Sequence, residues 1–380
     1  MYRIAADMHI PFLKGVLEPF AHVTYLPGKE ISRRHLIETD ALLIRTRTRC
    51  DRNLLEGTKI LFIGSATIGF DHIDTDYCRD RTITWVNAPG CNASSVMQYM
   101  ASALAFIRRK HGKSLSLYTL GIVGVGNVGS RVETLARALG MNVLLNDPPR
   151  ERSEGQEKFV PLRTVMEQAD IITLHVPLSY NGPYRTWHLC DHSFFSQLKK
   201  KPVFINTSRG EVADTGAIRE ALRKGRIRSA ILDVWENEPR IDPELLQMAE
   251  QATPHIAGYS LDGKANGTAM VVQALSRFLS LGIDDWYPPS IPAPAQHFID
   301  TRTYGDKLEE VVLKCIESTY RIEEDSRKLK ASPETFEEQR NQYPPRREFS
   351  AYTVIIPSAL SLARDRLLAL GFSETVASSH

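Results

Sequence analysis

The chain has 380 residues, 42% of them hydrophobic and 24% charged, with a formal net charge of +2. That length exceeds one ordinary domain, and that composition is a soluble globular protein's. The near-neutral balance argues against a nucleic-acid or membrane surface as the main partner, and no apolar run of about 18 residues offers a membrane span. The five cysteines (50, 78, 91, 190, 315) are scattered, without a Cys-x-x-Cys pair or a Cys/His cluster at metal spacing. Free thiols in a reducing cytoplasm and no bound metal are therefore expected. Met1–Asp7 reads as a strand, not a signal peptide, because no apolar stretch follows it.

Short apolar runs alternate with helical patterns from the first residue. Strands are predicted at Arg3–Ala6, His22–Tyr25, Ala41–Ile44, Lys59–Ile63 and Ile83–Val86. After Pro89-Gly90, a long apolar helix runs from Asn92 or Ser94 to Arg109. A second strand series then occupies Tyr118–Val123, Asn142–Asn146, Ile171–His175, Val203–Asn206 and Ala230–Asp233, with helices starting near Asn127, Pro161, Ser193 and Asp214. Strand–helix alternation predicts parallel sheets covered on both faces, an α/β class. Ser260–Gly282 is a further helix. The proline-rich stretch Trp286–Pro294 reads as a linker. Beyond it come a charged helical stretch, Gly305–Lys330, a strand at Tyr352–Ile356 and a helix at Ser358–Leu370, enough for a small C-terminal domain.

The chemistry sits in four motifs. Gly124-Val125-Gly126-Asn127-Val128-Gly129 follows an apolar strand and opens an amphipathic helix. Glycines there let the backbone approach a pyrophosphate, whose charge then lies at the helix N-terminus. Asp147 stands 18 residues past Gly129, at the end of the next strand, where a carboxylate binds the ribose hydroxyls and repels a 2′-phosphate. NAD is thus favoured over NADP, although Arg150 is close enough to serve a phosphorylated cofactor. Asn206-Thr207-Ser208-Arg209-Gly210 follows another strand, and a guanidinium at a strand's carboxyl end can grip a carboxylate with two hydrogen bonds. Thr207 would flank the cofactor. Asp233 ends the next strand and Glu238 follows in a loop closed by Pro239. His255 lies in Thr253-Pro254-His255-Ile256-Ala257-Gly258-Tyr259. A His–Glu pair is a proton-transfer device, because the carboxylate fixes the tautomer and favours the imidazolium. Most of the 11 histidines have no such context; His255 stands out through its neighbours.

Taken together, these motifs resemble the D-2-hydroxyacid dehydrogenase family. The resemblance implies that Arg209, Glu238 and His255 form a catalytic trio, with NAD as cofactor. It also implies two Rossmann-like doubly wound parallel-sheet domains: residues 1–92, completed by 259–284, as a substrate (lid) domain, and 93–258 as the NAD-binding domain. A narrower likeness, to one branch of the family, rests on Ile44–Thr48, Ser65–His72, Pro89–Ala93, Asn146–Arg150, His255–Lys264 and Pro344–Glu348. It implies 4-phospho-D-erythronate as substrate, oxidised at C2 on the way to pyridoxal 5′-phosphate. It further implies substrate contacts at Thr46, Thr67 and Tyr259, cofactor contacts at Asp147, Val176, Asp233 and Gly258, and a small α+β domain, 285–380, that forms a homodimer. Thr46 replaces the family's usual Ser and keeps its hydroxyl.

Two alternatives stay open: a relative acting on phosphoglycerate or glycerate, and an NAD-sensing binding protein. A substrate phosphate needs positive charge away from Arg209. Arg45 is the first candidate, followed by Arg47 and the pair Arg346-Arg347. If the strand ends before Arg45, its side chain and that of Thr46 need not take opposite faces.

Overall fold

The computed structural model describes residues 1–155 and 157–375. It divides into two compact units, one of Met1–Asn92 with Ser260–Pro292 and one of Ala93–Tyr259 with the segment from Ala293 onward.

The first unit holds a five-stranded sheet of β1 (Tyr2–Asp7), β2 (Ala21–Leu26), β3 (Ala41–Ile44), β4 (Phe62–Ser65) and β5 (Thr84–Val86), ordered β2-β1-β3-β4-β5. Every pair is parallel. The central strands β3 and β4 are buried on both faces, which is why they read as unbroken apolar runs. Strand β4 begins at Phe62 rather than at the predicted Lys59, since Leu61 is exposed and the alternation needed for a longer strand is missing. One face packs on the helix Leu261–Leu279, whose Val271, Val272 and Leu275 join Ile4, Leu43 and Phe62 in one core. Ser260 caps that helix by accepting from the Gly263 N–H, and Ser280 ends it in the left-handed region.

The second unit is built on six strands, β6 (Thr119–Val123), β7 (Asn142–Asn146), β8 (Ile171–Leu174), β9 (Val203–Asn206), β10 (Ser229–Leu232) and β11 (Gln251–Ala252), ordered β11-β10-β9-β8-β6-β7 and again parallel. The order reverses at β6, the switch point where open α/β sheets bind ligands beyond their carboxyl ends. The helix Ala93–His111 is buried along nearly its whole length, as its apolar composition predicts. A third sheet, of β12 (Phe298–Asp300), β13 (Thr353–Ile355) and β14 (Ser373–Thr375), is also parallel, with β13 in the middle. Around it the predicted helical stretch 305–330 is two helices, Leu308–Thr319 and Ile322–Ala331. This C-terminal segment shares a core with the rest of its unit: Val311, Val312, Ile316, Phe349 and Val354 cluster with Met100, Leu104, Leu135 and Leu139.

Gly121 shows how tightly one covering helix lies on the sheet. A Cβ there would fall 2.4 Å from Val165 Cγ1 and 3.0 Å from Ala169 Cβ. Val165 is stiff at χ1 and cannot swing away. Gly121→Ala is expected to destabilise the protein by about 1–3 kcal/mol, seen as a lower denaturant midpoint at an unchanged slope.

Candidate active site

The fingerprint turn is held by its neighbours. Gly124 has φ +87°, and its N–H donates to Asn146 O at 2.8 Å. A Cβ on Gly124 would meet the His175 backbone and Val176 Cγ1, each at 2.7 Å, so Val176 packs directly against the turn. A Cβ on Gly129 would lie 2.0 Å from Gly124 O, which makes glycine the only residue that lets this helix start so close to β6. Gly126 is different: an added Cβ there would meet nothing within 4 Å. Gly126 and Asn127 are exposed and Val128 is half-buried at the start of the helix Asn127–Ala138. Bare backbone, open space and a helix N-terminus fit a dinucleotide pyrophosphate.

Asp147 braces the same turn. Its Oδ2 accepts from the Val125 N–H at 2.7 Å and its Oδ1 from the Arg150 N–H at 3.1 Å, and each oxygen keeps a further lone pair for a ribose hydroxyl. Arg150 is committed elsewhere. Its Nε and Nη2 donate to the two oxygens of Glu154 at 2.6 and 2.8 Å, and its Nη1 to Val125 O. The Glu154 charge already neutralises it, which removes the main argument for a 2′-phosphate there.

Arg209, Glu238 and His255 stand beyond the carboxyl ends of three adjacent strands, β9, β10 and β11, whose last residues Asn206, Leu232 and Ala252 are in register. Asn206 shapes the first turn: its Oδ1 accepts from the Ser208 N–H and hydroxyl, and its Nδ2 donates to Arg209 O. Arg209 Nη1 donates to Ser208 O at 2.8 Å. Thr207 Oγ1 lies 3.3 Å from His175 Nδ1, and burial pushes the His175 imidazole down to about 3, so it is neutral.

His255 Nδ1 lies 2.8 Å from Glu238 Oε2, while Glu238 Oε1 accepts from the Trp235 N–H. Burial raises the Glu238 carboxyl, but His255 and Arg340 together outweigh it and leave its pKa below the ordinary carboxylate value. Both loops carry backbone strain, with φ +57° at His255 and +62° at Asn237. Such residues persist only where their surroundings over-determine them. Asp233 is one cause. Only 1% exposed, it accepts from the Thr253 hydroxyl at 2.6 Å, the Ile256 N–H at 2.8 Å and the Ala257 N–H at 2.9 Å, while its own carbonyl accepts the His255 N–H. Its carboxylate thus fills three of about four acceptor sites. Gly258 follows in the same turn, closed by the Tyr259 N–H donating to Ile256 O.

In the first unit, β3 ends at Ile44, so Arg45 and Thr46 lie in a turn. Arg45 Nη1 donates to His9 O at 2.8 Å, and Thr46 is exposed. Thr67 lies two residues past Ser65, the register partner of Ile44, and its hydroxyl is 2.8 Å from Ser65 Oγ.

Three features escaped sequence reasoning. Arg346, weighed above as a phosphate ligand, is only 6% exposed. Its Nη2 donates to Ser95 Oγ, Ile256 O and Ala257 O, and its guanidinium covers the Tyr320 ring at 4.4 Å. It braces the His255 loop from inside. Arg340 lies against Glu238 and Tyr259. His188 Nε2 sits 2.7 Å from Glu236 Oε1 and its Nδ1 3.6 Å from Asp214 Oδ2. These carboxylates also accept the Thr215 and Ala217 N–H groups, so the cluster is a hydrogen-bonded brace for the loop that carries Glu238. Nothing near these residues in sequence marks out these roles.

The two helix-start glycines separate cofactor binding from stability. Gly126→Ala is expected to leave the unfolding midpoint unchanged and weaken NAD binding about tenfold or more, while Gly129→Ala lowers both. Calorimetric titration with NAD beside denaturant unfolding checks the contrast.

A family model described as D-isomer specific 2-hydroxyacid dehydrogenase, NAD binding domain, matches residues 95–257. A domain of unknown function matches 291–371. The erythronate-4-phosphate dehydrogenase of Bacteroides fragilis is 50% identical over 355 residues, covering 93% of this chain and 99% of the relative. That of Chromohalobacter salexigens is 40% identical over 382 residues, covering 99% and 100%. Among solved structures, the NAD-bound 3-phosphoglycerate dehydrogenase of Entamoeba histolytica superposes with a TM-score of 0.62 at 24% identity, over 77% of this chain and 99% of that one. The D-lactate dehydrogenase of Aquifex aeolicus, complexed with NAD and lactic acid, gives 0.61 at 24%, over 76% and 100%. These two likenesses speak to the fold. Relatives of 40–50% identity, matched almost end to end, make this chain a member of the erythronate-4-phosphate dehydrogenases, within the D-isomer specific 2-hydroxyacid dehydrogenases.

Proposed function

We propose that this NAD-dependent dehydrogenase oxidises 4-phospho-D-erythronate at C2 to 2-oxo-3-hydroxy-4-phosphobutanoate, a step in pyridoxal 5′-phosphate synthesis. The observation that carries the reading is the 2.8 Å His255–Glu238 pair beyond β10 and β11, in a chain matched almost end to end by relatives of that name. NAD, when bound, supplies the hydride acceptor. Gly124, Gly126, Asn127, Val128 and Gly129 hold its pyrophosphate, Asp147 its ribose, and Val176, Thr207, Asp233 and Gly258 border it. Because Glu238 engages Nδ1, His255 in its neutral form presents Nε2 as the acceptor, and Nε2 takes the C2 hydroxyl proton. Glu238 then faces an imidazolium, which it stabilises. Arg209 grips the substrate carboxylate through its planar fork. Run backwards, His255 returns the proton as a general acid.

Residues 1–92 with 259–284 act as the substrate domain, 93–258 as the NAD domain and 285–380 as the dimerisation domain in this reading. Thr46, Thr67 and Tyr259 contact substrate, and Arg45 is the phosphate ligand. Support for a homodimer comes from apolar side chains left at the C-terminal segment's surface, Phe298 at 50% exposure, Leu362 at 66% and Leu368 at 38%. Five free, buried cysteines accord with a cytoplasmic setting. No helix among the described residues is long and apolar enough to cross a membrane. Small phosphorylated hydroxy acids, not nucleic acid, are the partners proposed.

A substrate panel of 4-phosphoerythronate, 3-phosphoglycerate and their unphosphorylated acids, followed by reduced-nicotinamide absorbance, tests the reading. Preference for 3-phosphoglycerate, or absence of turnover with any of them, would sink it. His255→Ala is expected to lower kcat by about 10²–10⁴-fold with NAD affinity little changed.

Arg45→Ala is expected to raise KM for the phosphorylated acid by about tenfold, close to 1.4 kcal/mol, and to spare an unphosphorylated 2-hydroxy acid. Equal damage to both substrates would move the phosphate site elsewhere.

A further inference from the structure

The C-terminal segment brings a third charge to the His255–Glu238 pair. Arg340, in the helix Phe336–Asn341, has a side chain 21% exposed. Its Nη1 lies 3.8 Å from Glu238 Oε2, the same oxygen that is 2.8 Å from His255 Nδ1. Its Nε donates to the Tyr259 hydroxyl at 2.9 Å, and the guanidinium lies 5.7 Å from the centre of that ring. One side chain thus touches the carboxylate behind His255 and the tyrosine four residues after it.

We propose that Arg340 is a positioning residue for the reaction: it fixes Tyr259 and holds Glu238 ionised while His255 is still neutral. The inference rests on the reading of His255 as the base and Glu238 as its partner. A half-buried carboxylate facing a neutral imidazole alone would be an uncompensated charge, and would draw a proton onto the ring before substrate arrived. With Arg340 present the carboxylate is neutralised in the resting state, and the base stays free. The trio is neutral before proton transfer and carries +1 after it. The pair alone would run from −1 to neutral, a change that favours early protonation.

Other charged groups lie on the neighbouring elements. Asp233, at the end of β10, adds to the field at Arg340. Asp325, Lys328, Glu338 and Tyr343 line a cavity of about 380 Å³ beside Pro254. Asp325 accepts from the Tyr320 and Tyr343 hydroxyls. All of these stay in place in the variants below, so a displaced profile reports on Arg340.

The test is the pH profile of kcat/KM for oxidation of 4-phosphoerythronate with NAD, on full-length E238Q, R340M, R340Q and R340K. Oxidation rises with pH as His255 loses its proton. Removing Glu238 destabilises the imidazolium, so E238Q moves the rise to lower pH. Removing the Arg340 charge does the opposite, so R340M moves it to higher pH by roughly one unit. R340K, which keeps the charge, restores the wild-type position. Arg340 touches no reacting atom, so plateau kcat in R340M stays within about tenfold of wild type. Should R340M fail to fold, R340Q keeps a donor for Tyr259 while losing the charge, and carries the same expectation. An unmoved rise in the Arg340 variants, or one displaced in the same direction as E238Q, overturns the proposal. So does a raised KM with an unmoved profile, which would make Arg340 a substrate ligand. An unmoved profile in E238Q would instead defeat the His255–Glu238 reading itself.

Discussion

One buried carboxylate organises the chemistry of this chain. Asp233 sits at the end of β10 and binds the loop that follows β11 through one hydroxyl and two backbone N–H groups. Hydrogen bonds to an ionised acceptor are worth about 1.5–3 kcal/mol each, and leaving such a group unpaired costs more. That is enough to hold His255 at a positive φ that a free loop would leave. The strain and its restraint are adjacent in space, as preorganisation requires. Trp235 adds to the same joint, with its indole N–H on Thr253 O and its backbone N–H on Glu238. Loop and counter-loop are thus tied to each other before any ligand arrives.

Parallel topology explains why three side chains far apart in sequence belong together. Strands in register deliver their following loops to one edge, so the loops of Arg209, Glu238 and His255 need no special folding event to share it. The same logic gathers the Arg45–Thr46 turn and Thr67 at the carboxyl edge of the other sheet. Placement is a property of the sheet, and chemistry a property of the turns.

Much of this was legible in the residues. Parallel strands buried on both faces must be apolar runs, and β3 and β9 lie where those runs lie. The glycine fingerprint was legible because two of its positions exclude a Cβ for steric reasons visible in the fold. Strands β11, β12 and β14 were not, because two or three residues carry no period. The roles of Arg340 and Arg346 were invisible for another reason. A surface arginine and a buried one are the same letter, and their roles come from partners about 80 to 250 positions away. Arg346 in particular looked like a basic patch with Arg347, yet it is enclosed among aromatic rings and carbonyls. The resemblance implies a cofactor contact at Asp233, and most of its hydrogen-bonding capacity goes to the loop that carries His255.

The reach of Arg346 bears on how the chain is made. The carbonyls it holds, at Ile256 and Ala257, lie about 90 residues earlier. A ribosome therefore completes both large sheets, with Arg209, Glu238 and His255, well before it supplies the side chain that closes the His255 loop from behind. Domains generally fold as units during synthesis, so the nascent chain passes through a stage in which its nucleotide-binding sheet is assembled and its His255 loop still lacks a brace. The last support of the His255 loop thus arrives late in translation, from a segment that follows the NAD-binding domain.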